Sequence, residues 1–266
     1  AQLTQKRWAK KINESDLSIQ LVNNSKIYLR SADNPDSLRG VSMDFLDEKS
    51  FRQEYEATFE TYAGLIYYNW DSKTNVINEP PHVDDRTLLH IGMDFNHTPL
   101  SACIATIQGD QITFFDEVKI DGSNTWEMVE EIRNRYPNNR VWVYPDASGN
   151  QRRTSSNTTD HKILQQAGFT LKVKGNNPPV RDRIAAVNAN LKSAEGDIRL
   201  RVTANCKNVI KCISSQVYKE GTMIPEKDGP NDMSHMNDAL GYLVHWTNPI
   251  RGPQLPKQPV QRFGHF

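Results

Sequence analysis

The 266-residue chain lacks several features that mark whole classes of protein. It has no apolar run near the ~20 residues that a membrane-spanning helix needs, and its mean hydropathy is −0.68, which excludes an integral membrane protein. No basic start followed by an apolar stretch is present, so we expect no secretory signal. A G-x-x-x-x-G-K-[ST] phosphate loop is also absent, and we therefore expect no ATP site.

The chain also has only three cysteines and a formal net charge of zero. Cys103, Cys206 and Cys212 form no C-x-x-C pair, which predicts buried, reduced thiols. The 32 Lys and Arg residues balance 32 Asp and Glu residues, but the charges are segregated: residues 41–94 carry a net −7 and residues 146–220 a net +7. A basic middle is compatible with a polyanionic partner, although charged faces on ordinary soluble helices would explain it too.

The first third of the chain has a mixed pattern. Residues 1–13 are predicted to form a basic helix, and residues 18–30 two short strands around the turn Asn23-Asn24-Ser25. Aromatic residues at four-residue intervals predict a helix over residues 46–59. Residues 71–87, which contain Pro80-Pro81 and several charges, are interpreted as a linker.

After the linker, strands and helices alternate. The predicted strands are 88–95, 100–107, 111–119, 140–144 and 198–202, with a further helix and strand across 158–175. The predicted helices are 124–136, 180–194, 206–218 and 232–246. The nearly continuous apolar run over 88–95 predicts a central strand covered on both faces, and Gln108-Gly109-Asp110 predicts a hairpin turn. Residues 249–266 contain four prolines and no acid, which predicts a basic, disordered tail.

Three acids stand where a site can be built on such a sheet. Asp94 ends the first central strand, Asp146 directly follows the fourth, and Asp238 lies within the final helix. An acid embedded in an apolar strand is costly without a partner, so Asp94 requires an explanation. Asp146 has an alternative role as a cap for the next element, and Asp238 an alternative position on the helix surface.

Four segments carry a resemblance to a known family: GMDFN, VYPDASG, VRDRIAAVNANLK and HMNDALGYLVHW. Together with the order of elements, they resemble the C-terminal nuclease domain of tailed-phage terminase large subunits, which has a ribonuclease H-like fold. The resemblance covers about residues 88–247. It implies an α/β fold in which helices flank a mixed sheet.

The first part of the chain resembles the packaging ATPase domain of the same family. NSKIYLRSADNPDSLRG is similar to the region just before Walker B, and FRQEYEATFETYAGLIYYNW to the segment that closes that domain. Asp47-Glu48 mimics a Walker B pair, but no apolar strand precedes it. We therefore expect a partial ATPase-like α/β segment without ATPase activity or DNA translocation. The expected divisions are an ATPase remnant over 1–70, a linker over 71–87, the nuclease over 88–248 and the tail over 249–266.

The resemblance implies a nuclease that cuts concatemeric viral DNA by two-metal phosphodiester hydrolysis. In the mechanism that the resemblance implies, Asp94 bridges two Mg²⁺ or Mn²⁺ ions, while Asp146 and Asp238 each complete one metal site. Hard oxygen ligands suit these ions, and two ions ~3.5–4 Å apart activate water and stabilise the leaving oxygen. The implied partners are double-stranded DNA, a small terminase subunit and a portal protein, and the implied location is the bacterial host cytoplasm.

Several neighbouring residues are weighed beside these acids. His235 is interpreted as an exposed helix residue, with support of a metal-binding carboxylate as the alternative. Glu117 is expected to lie away from the metals, and Asp232 to cap the last helix. The candidates for phosphate contacts are Arg152, Arg153, Lys172, Lys174, Arg181 and Arg183. Nothing in the sequence points to base reading, so cleavage should be weakly sequence-specific.

Two other functions remain open at this point. The first is another ribonuclease H-like enzyme of the resolvase or transposase type, against which the ATPase-like segment argues. The second is an inactive remnant that docks onto DNA or a portal. Intact acids at positions 94, 146 and 238 argue against loss of activity.

Overall fold

The computed structural model describes residues 9–13, 18–21, 26–28, 64–96, 98–151, 158–219, 222–227 and 234–250. The predicted helix over 46–59, the cap at Asp232 and the tail after residue 250 lie outside these ranges. Within them, no helix is long and apolar enough to cross a membrane.

The first described elements form a small antiparallel sheet. Its strands, in the spatial order β1-β2-β3, are β1 (Ala9–Asn13), β2 (Ser18–Leu21) and β3 (Lys26–Tyr28). The pairing of β2 with β3 confirms the two predicted strands. The helix predicted over 1–13 is wrong over β1, where Ile12 pairs with Ile19 of β2. The local pattern of basic residues did not reveal this pairing, and strand pairing commonly overrides local propensity.

A seven-stranded mixed sheet forms the centre of the fold, in the order β4-β10-β7-β6-β5-β8-β9. The strands are β4 (Val76–Ile77), β5 (Leu89–Asp94), β6 (Leu100–Gln108), β7 (Gln111–Ile120), β8 (Val141–Pro145), β9 (Thr170–Leu171) and β10 (Leu200–Thr203). Strand β6 is antiparallel to both of its neighbours, β5 and β7. Its pairing with β7 is the predicted hairpin. The other pairs are parallel. The predicted α/β mixed sheet is thereby confirmed.

Helices cover both faces of this sheet. They are α1 (Ser72–Asn75), α2 (Thr125–Arg135), α3 (Asp160–Gln166), α4 (Val180–Leu191), α5 (Lys207–Ser215) and α6 (Ser234–Thr247). Two of them begin with ordinary side-chain caps: the side chain of Asn124 accepts from two backbone N–H groups of α2, and Thr159 caps α3. The predicted helices after residue 88 are confirmed, with ends that differ by a few residues.

Residues before 88 also contribute to the sheet and its core. The range 71–87, predicted as a linker, contains α1 and β4, and β4 pairs in parallel with β10. Ile66 and Tyr67 are buried beside α4, α5 and α6. A strand of two residues has no periodicity, so no sequence pattern marks it. The division into domains otherwise stays a prediction.

The central strand β5 is buried along its whole length, as its apolar run predicted. Ile91 and Met93 pack in the core on one face, with side chains from α2 and α3. On the other face Gly92 lies directly under α6, because a Cβ built there would stand 2.0 Å from the carbonyl oxygen of Ala239. Glycine therefore allows α6 to lie against the backbone of β5.

The prediction for the cysteines is confirmed, and Glu117 has a structural role. Cys103, Cys206 and Cys212 are buried and free. Glu117 accepts hydrogen bonds from the backbone N–H groups of Asn208 and Val209, each at 2.8 Å, at the first turn of α5. Its carboxylate thus caps a helix N-terminus, where negative charge is favourable.

His90 gives a testable pH dependence of stability. Burial, assisted by the charge of Lys172, lowers the pKa of His90 from 6.5 to about 4, and its Nδ1 lies 2.9 Å from the hydroxyl of Tyr144. Because the unfolded chain takes up a proton near pH 6.5, this stabilisation is complete above that pH and is lost as the pH falls towards 4. Between pH 7.5 and 5, we expect the free energy of unfolding to fall by about 1–2 kcal/mol more in the wild type than in His90→Gln, after allowing for solvent screening.

Urea unfolding of both proteins at the two pH values measures this difference. Equal losses of stability in wild type and His90→Gln would show that His90 is not held neutral by its surroundings.

Candidate active site at the carboxyl ends of two parallel strands

Asp94 and Asp146 meet at one edge of the sheet because their strands are parallel neighbours. Asp94 is the last residue of β5, and Asp146 directly follows β8. Met93 pairs with Pro145, and the backbone N–H of Asp146 donates to the carbonyl of Met93 at 3.0 Å. The carboxyl ends of adjacent parallel strands in α/β sheets are a common place for a site.

Asp238 reaches the same region from α6. Burial raises the pKa of Asp94, which is 6% exposed, and the charges of Asp238 and Asp146 raise it further, against the opposing effect of His235. The pKa of Tyr242 on α6 is raised, first by burial and then by all three carboxylates, while Arg183 opposes the shift. The three acids singled out in the sequence therefore share one electrostatic environment, which we call the acid cluster (Asp94, Asp146 and Asp238).

His235 belongs to this environment, and its interpretation as an exposed helix residue is wrong. Its Nδ1 lies 2.8 Å from Oδ2 of Asp94, and its Nε2 lies 2.7 Å from Nδ2 of Asn96. Its side chain is only 18% exposed. His235 and Asp238 are three residues apart on α6, so they lie on the same side of that helix. The alternative, support of a site carboxylate, is the arrangement observed.

The alternative role considered for Asp146 is also observed. Its Oδ1 accepts from the backbone N–H of Ser148 at 2.7 Å, capping a 3₁₀ turn over Ala147–Asn150. The same oxygen accepts from Nδ2 of Asn177 at 2.7 Å, and Asn177 lies in the loop before α4. Capping and membership of the acid cluster are thus compatible, because the cap fixes one oxygen of the carboxylate.

Two basic side chains form ion pairs with Asp238. Nη1 of Arg183 lies 2.8 Å from its Oδ1, and Nζ of Lys227 lies 2.9 Å from its Oδ2. Arg183 is 5% exposed and also lies over the ring of Tyr242, 4.4 Å from the centroid. It was predicted to contact phosphate, but burial and the ion pair keep it behind Asp238 rather than on an open surface. Lys227 was not predicted.

The other candidates for phosphate contacts fall in different places. Arg152 and Arg153 lie outside the described residues. Arg181 is exposed on the first turn of α4. Lys172 and Lys174 lie over tryptophan rings at the opposite end of α6, away from the acid cluster. The four candidates that the structure describes therefore do not form a single patch.

The ligand types in the acid cluster suit a hard divalent cation. Carboxylate oxygens, with one neighbouring imidazole, are appropriate for Mg²⁺ or Mn²⁺. Crowded carboxylates repel one another, and a cation relieves that repulsion. In the part of the chain that the structure describes, however, no three His, Cys, Asp or Glu side chains are arranged to hold an ion. Since each carboxylate oxygen of Asp238 is paired with a cation, Arg183 or Lys227, an ion bound by Asp238 would have to displace at least one of them.

Comparisons with known proteins show the family to which the chain belongs. A model of the terminase RNaseH-like domain family matches residues 91–246, which contain all three acids. Among curated protein sequences, none matches the chain.

Among solved structures, the large terminase of a thermophilic bacteriophage matches with a TM-score of 0.56 at 20% identity, covering 74% of this chain and 48% of that one. The P22 large terminase nuclease domain matches with a TM-score of 0.52 at 17% identity, covering 71% and 95%. The nuclease domain from bacteriophage SPP1 with bound Mn gives a TM-score of 0.44 at 16% identity, covering 65% and 96%.

The chain spans about half the length of the large terminase from the thermophilic bacteriophage. The family model, by contrast, covers more than half of this chain and includes the acid cluster, nearly all of α6 and all of the seven-stranded sheet except β4 and the start of β5. The chain therefore belongs to the terminase RNaseH-like domain family, and its fold is that of the C-terminal nuclease domain of a phage terminase large subunit.

Proposed function

We propose that this chain is a divalent-metal-dependent endonuclease that cuts concatemeric viral DNA during phage DNA packaging. The proposal is supported by the meeting of Asp94 and Asp146 at the carboxyl ends of β5 and β8, with Asp238 of α6 near enough to raise the pKa of Asp94, within a terminase RNaseH-like domain. A buried carboxylate with a raised pKa, beside two further acids, is typical of a functional site.

Asp94, Asp146 and Asp238 would hold two Mg²⁺ or Mn²⁺ ions, with Asp94, the buried member, common to both. The chemistry that such ions supply when bound is activation of water and neutralisation of charge on the phosphate. Displacement of Lys227 from Asp238 costs little, because this lysine is 45% exposed and its ammonium can return to water. Arg183 has no such freedom and would keep its place behind Asp238.

The residues around the acid cluster hold the carboxylates in place. With Asn96 donating to Nε2, His235 carries its proton on Nδ1 and donates it to Asp94. Asn177 orients one oxygen of Asp146 and leaves the other available. These contacts fix the directions of two carboxylates before substrate arrives, which is how a site gains from preorganisation.

The wider setting follows from the family. The substrate would be double-stranded DNA, held through its phosphates and cut with little sequence specificity. A small terminase subunit and a portal protein would be the partners, in the cytoplasm of the bacterial host. We expect no ATPase activity from these residues, because no phosphate loop is present.

Incubation of the purified chain with supercoiled plasmid tests the proposal. With Mg²⁺ or Mn²⁺ we expect nicked and then linear DNA at many positions, and with EDTA we expect none. Linear duplexes of unrelated sequence should be cut at similar rates. A chain that binds plasmid but leaves it intact with both ions would be a docking remnant and not a nuclease.

A further inference from the structure

A second concave site lies at the opposite end of α6 from the acid cluster. It is a pocket of about 570 Å³, and its walls include Trp142 and Tyr144 of β8 and Trp246 at the end of α6. Lys172 and Lys174, in the segment after β9, complete it. A volume of this order is typical of a pocket for a small ligand or a single chemical group.

The chemistry of the pocket is aromatic and cationic. Nζ of Lys172 lies 3.8 Å from the ring centroid of Trp142, and Nζ of Lys174 lies 4.8 Å from that of Trp246. No Asp or Glu lines the pocket among the described residues. Two ammonium groups in a pocket that no acid lines, set against flat indole rings, suit a ligand that combines an aromatic ring with negative charge.

The pocket is connected to the acid cluster along two elements. Eight residues of α6 separate Asp238 from Trp246, a rise of about 12 Å. The segment over residues 172–179 begins at the pocket with Lys172 and ends near Asn177, whose side chain binds Asp146. About 12 Å corresponds to the rise of three or four base pairs along a DNA duplex, at ~3.4 Å each.

We propose that this pocket binds an unpaired nucleotide of the DNA strand whose phosphate lies at the acid cluster. The proposal rests on the proposed nuclease function and adds to it a preference for locally unpaired DNA. The two ammonium groups lie over the indole rings in the structure; on binding they would move to the adjoining phosphate and leave the rings as stacking surfaces for a base. A paired base presents its faces only to its neighbours in the stack, so it would have to leave the duplex to enter.

Binding without cleavage tests the pocket separately from the nuclease. Fluorescence anisotropy in EDTA would compare fluorescein-labelled oligo(dT), a blunt duplex of equal length and the mononucleotide dTMP as competitor. The test variant is Lys172→Gln/Lys174→Gln. Its matched control is Lys119→Gln/Lys211→Gln, which makes the same charge change at exposed lysines on β7 and α5.

We expect the test variant to bind oligo(dT) about tenfold more weakly, with a smaller effect on the duplex and less than about twofold change in the control. Oligo(dT) should also quench the tryptophan fluorescence of the wild type, and the quenching should be smaller in Trp246→Phe. Trp126 is an exposed tryptophan on α2, so quenching in Trp126→Phe should equal that of the wild type. Equal weakening in both lysine variants would overturn the proposal. So would displacement of oligo(dT) by dTMP at equal concentration, which would make this a site for free nucleotides.

Discussion

Replacing Asp94 by Asn should abolish DNA cleavage while leaving the protein folded. Asp94 is the buried acid of the cluster, in contact with His235 and repelled by Asp146 and Asp238. If it holds the catalytic ions, its loss removes several kcal/mol of transition-state stabilisation, or about 10³-fold in rate. The measurement is the rate of plasmid nicking with Mn²⁺ and with Mg²⁺. Asp121→Asn, at an exposed turn after β7, is the matched control and should cleave at the wild-type rate.

The same substitution should make the metal-free protein more stable at neutral pH. Because the folded pKa of Asp94 is raised, its contribution to stability is complete below the unfolded pKa near 3.9 and is lost as the pH rises through the folded pKa. Asn carries no charge and avoids that loss. In EDTA at pH 7.5, Asp94→Asn should therefore unfold at a higher temperature than the wild type. Near pH 3.5 the two proteins should unfold at similar temperatures. A variant that is both inactive and unfolded would leave Asp94 with a structural role only.

The second large effect is expected from Gly92→Ala. The added Cβ would stand 2.0 Å from the carbonyl oxygen and 2.8 Å from the carbonyl carbon of Ala239, and backbone atoms cannot rotate away as a side chain can. Helix α6 must therefore shift away from β5. We expect a loss of about 3 kcal/mol in the free energy of unfolding, at the upper end of overpacking effects. Because α6 carries His235 and Asp238, cleavage by the folded fraction should fall about 10²-fold.

Urea unfolding and the cleavage rate per folded molecule measure the two effects of Gly92→Ala. Gly175→Ala is the control for stability, because no atom lies within 4 Å of its built Cβ and no positive φ is required there. Wild-type stability in Gly92→Ala would mean that α6 does not lie against β5 as described.

The central sheet could be predicted because local sequence patterns mark its strands. The run from Leu89 to Asp94 is mostly apolar and is buried along its whole length, and the turn at Gly109 separates two long strands. Asp94 and Asp146 could be placed at the carboxyl ends of their strands from their positions alone, whereas the adjacency of the two strands came from the order of elements and its resemblance to the ribonuclease H-like fold. Asp238 was placed by resemblance, since spacing along the chain says nothing about a residue 92 positions later.

The contacts around the acids could not be predicted, because each depends on distant chain segments. Asn177 reaches Asp146 from a loop, and Lys227 reaches Asp238 from another. His235 was misplaced because helical spacing does not tell which side of α6 is covered by β5. Arg183 was misplaced because its neighbours on α4 include other charged residues, and its burial arises from packing against α6.

The most direct test of the site is a calorimetric titration of Mn²⁺ into the wild type and into Asp94→Asn, Asp146→Asn and Asp238→Asn. If the three acids form one metal centre, the wild type binds two ions, and every substitution weakens binding, with Asp94→Asn affecting both ions. Unchanged Mn²⁺ binding in any two of the three variants would contradict a shared centre, even if the chain were found to cut DNA.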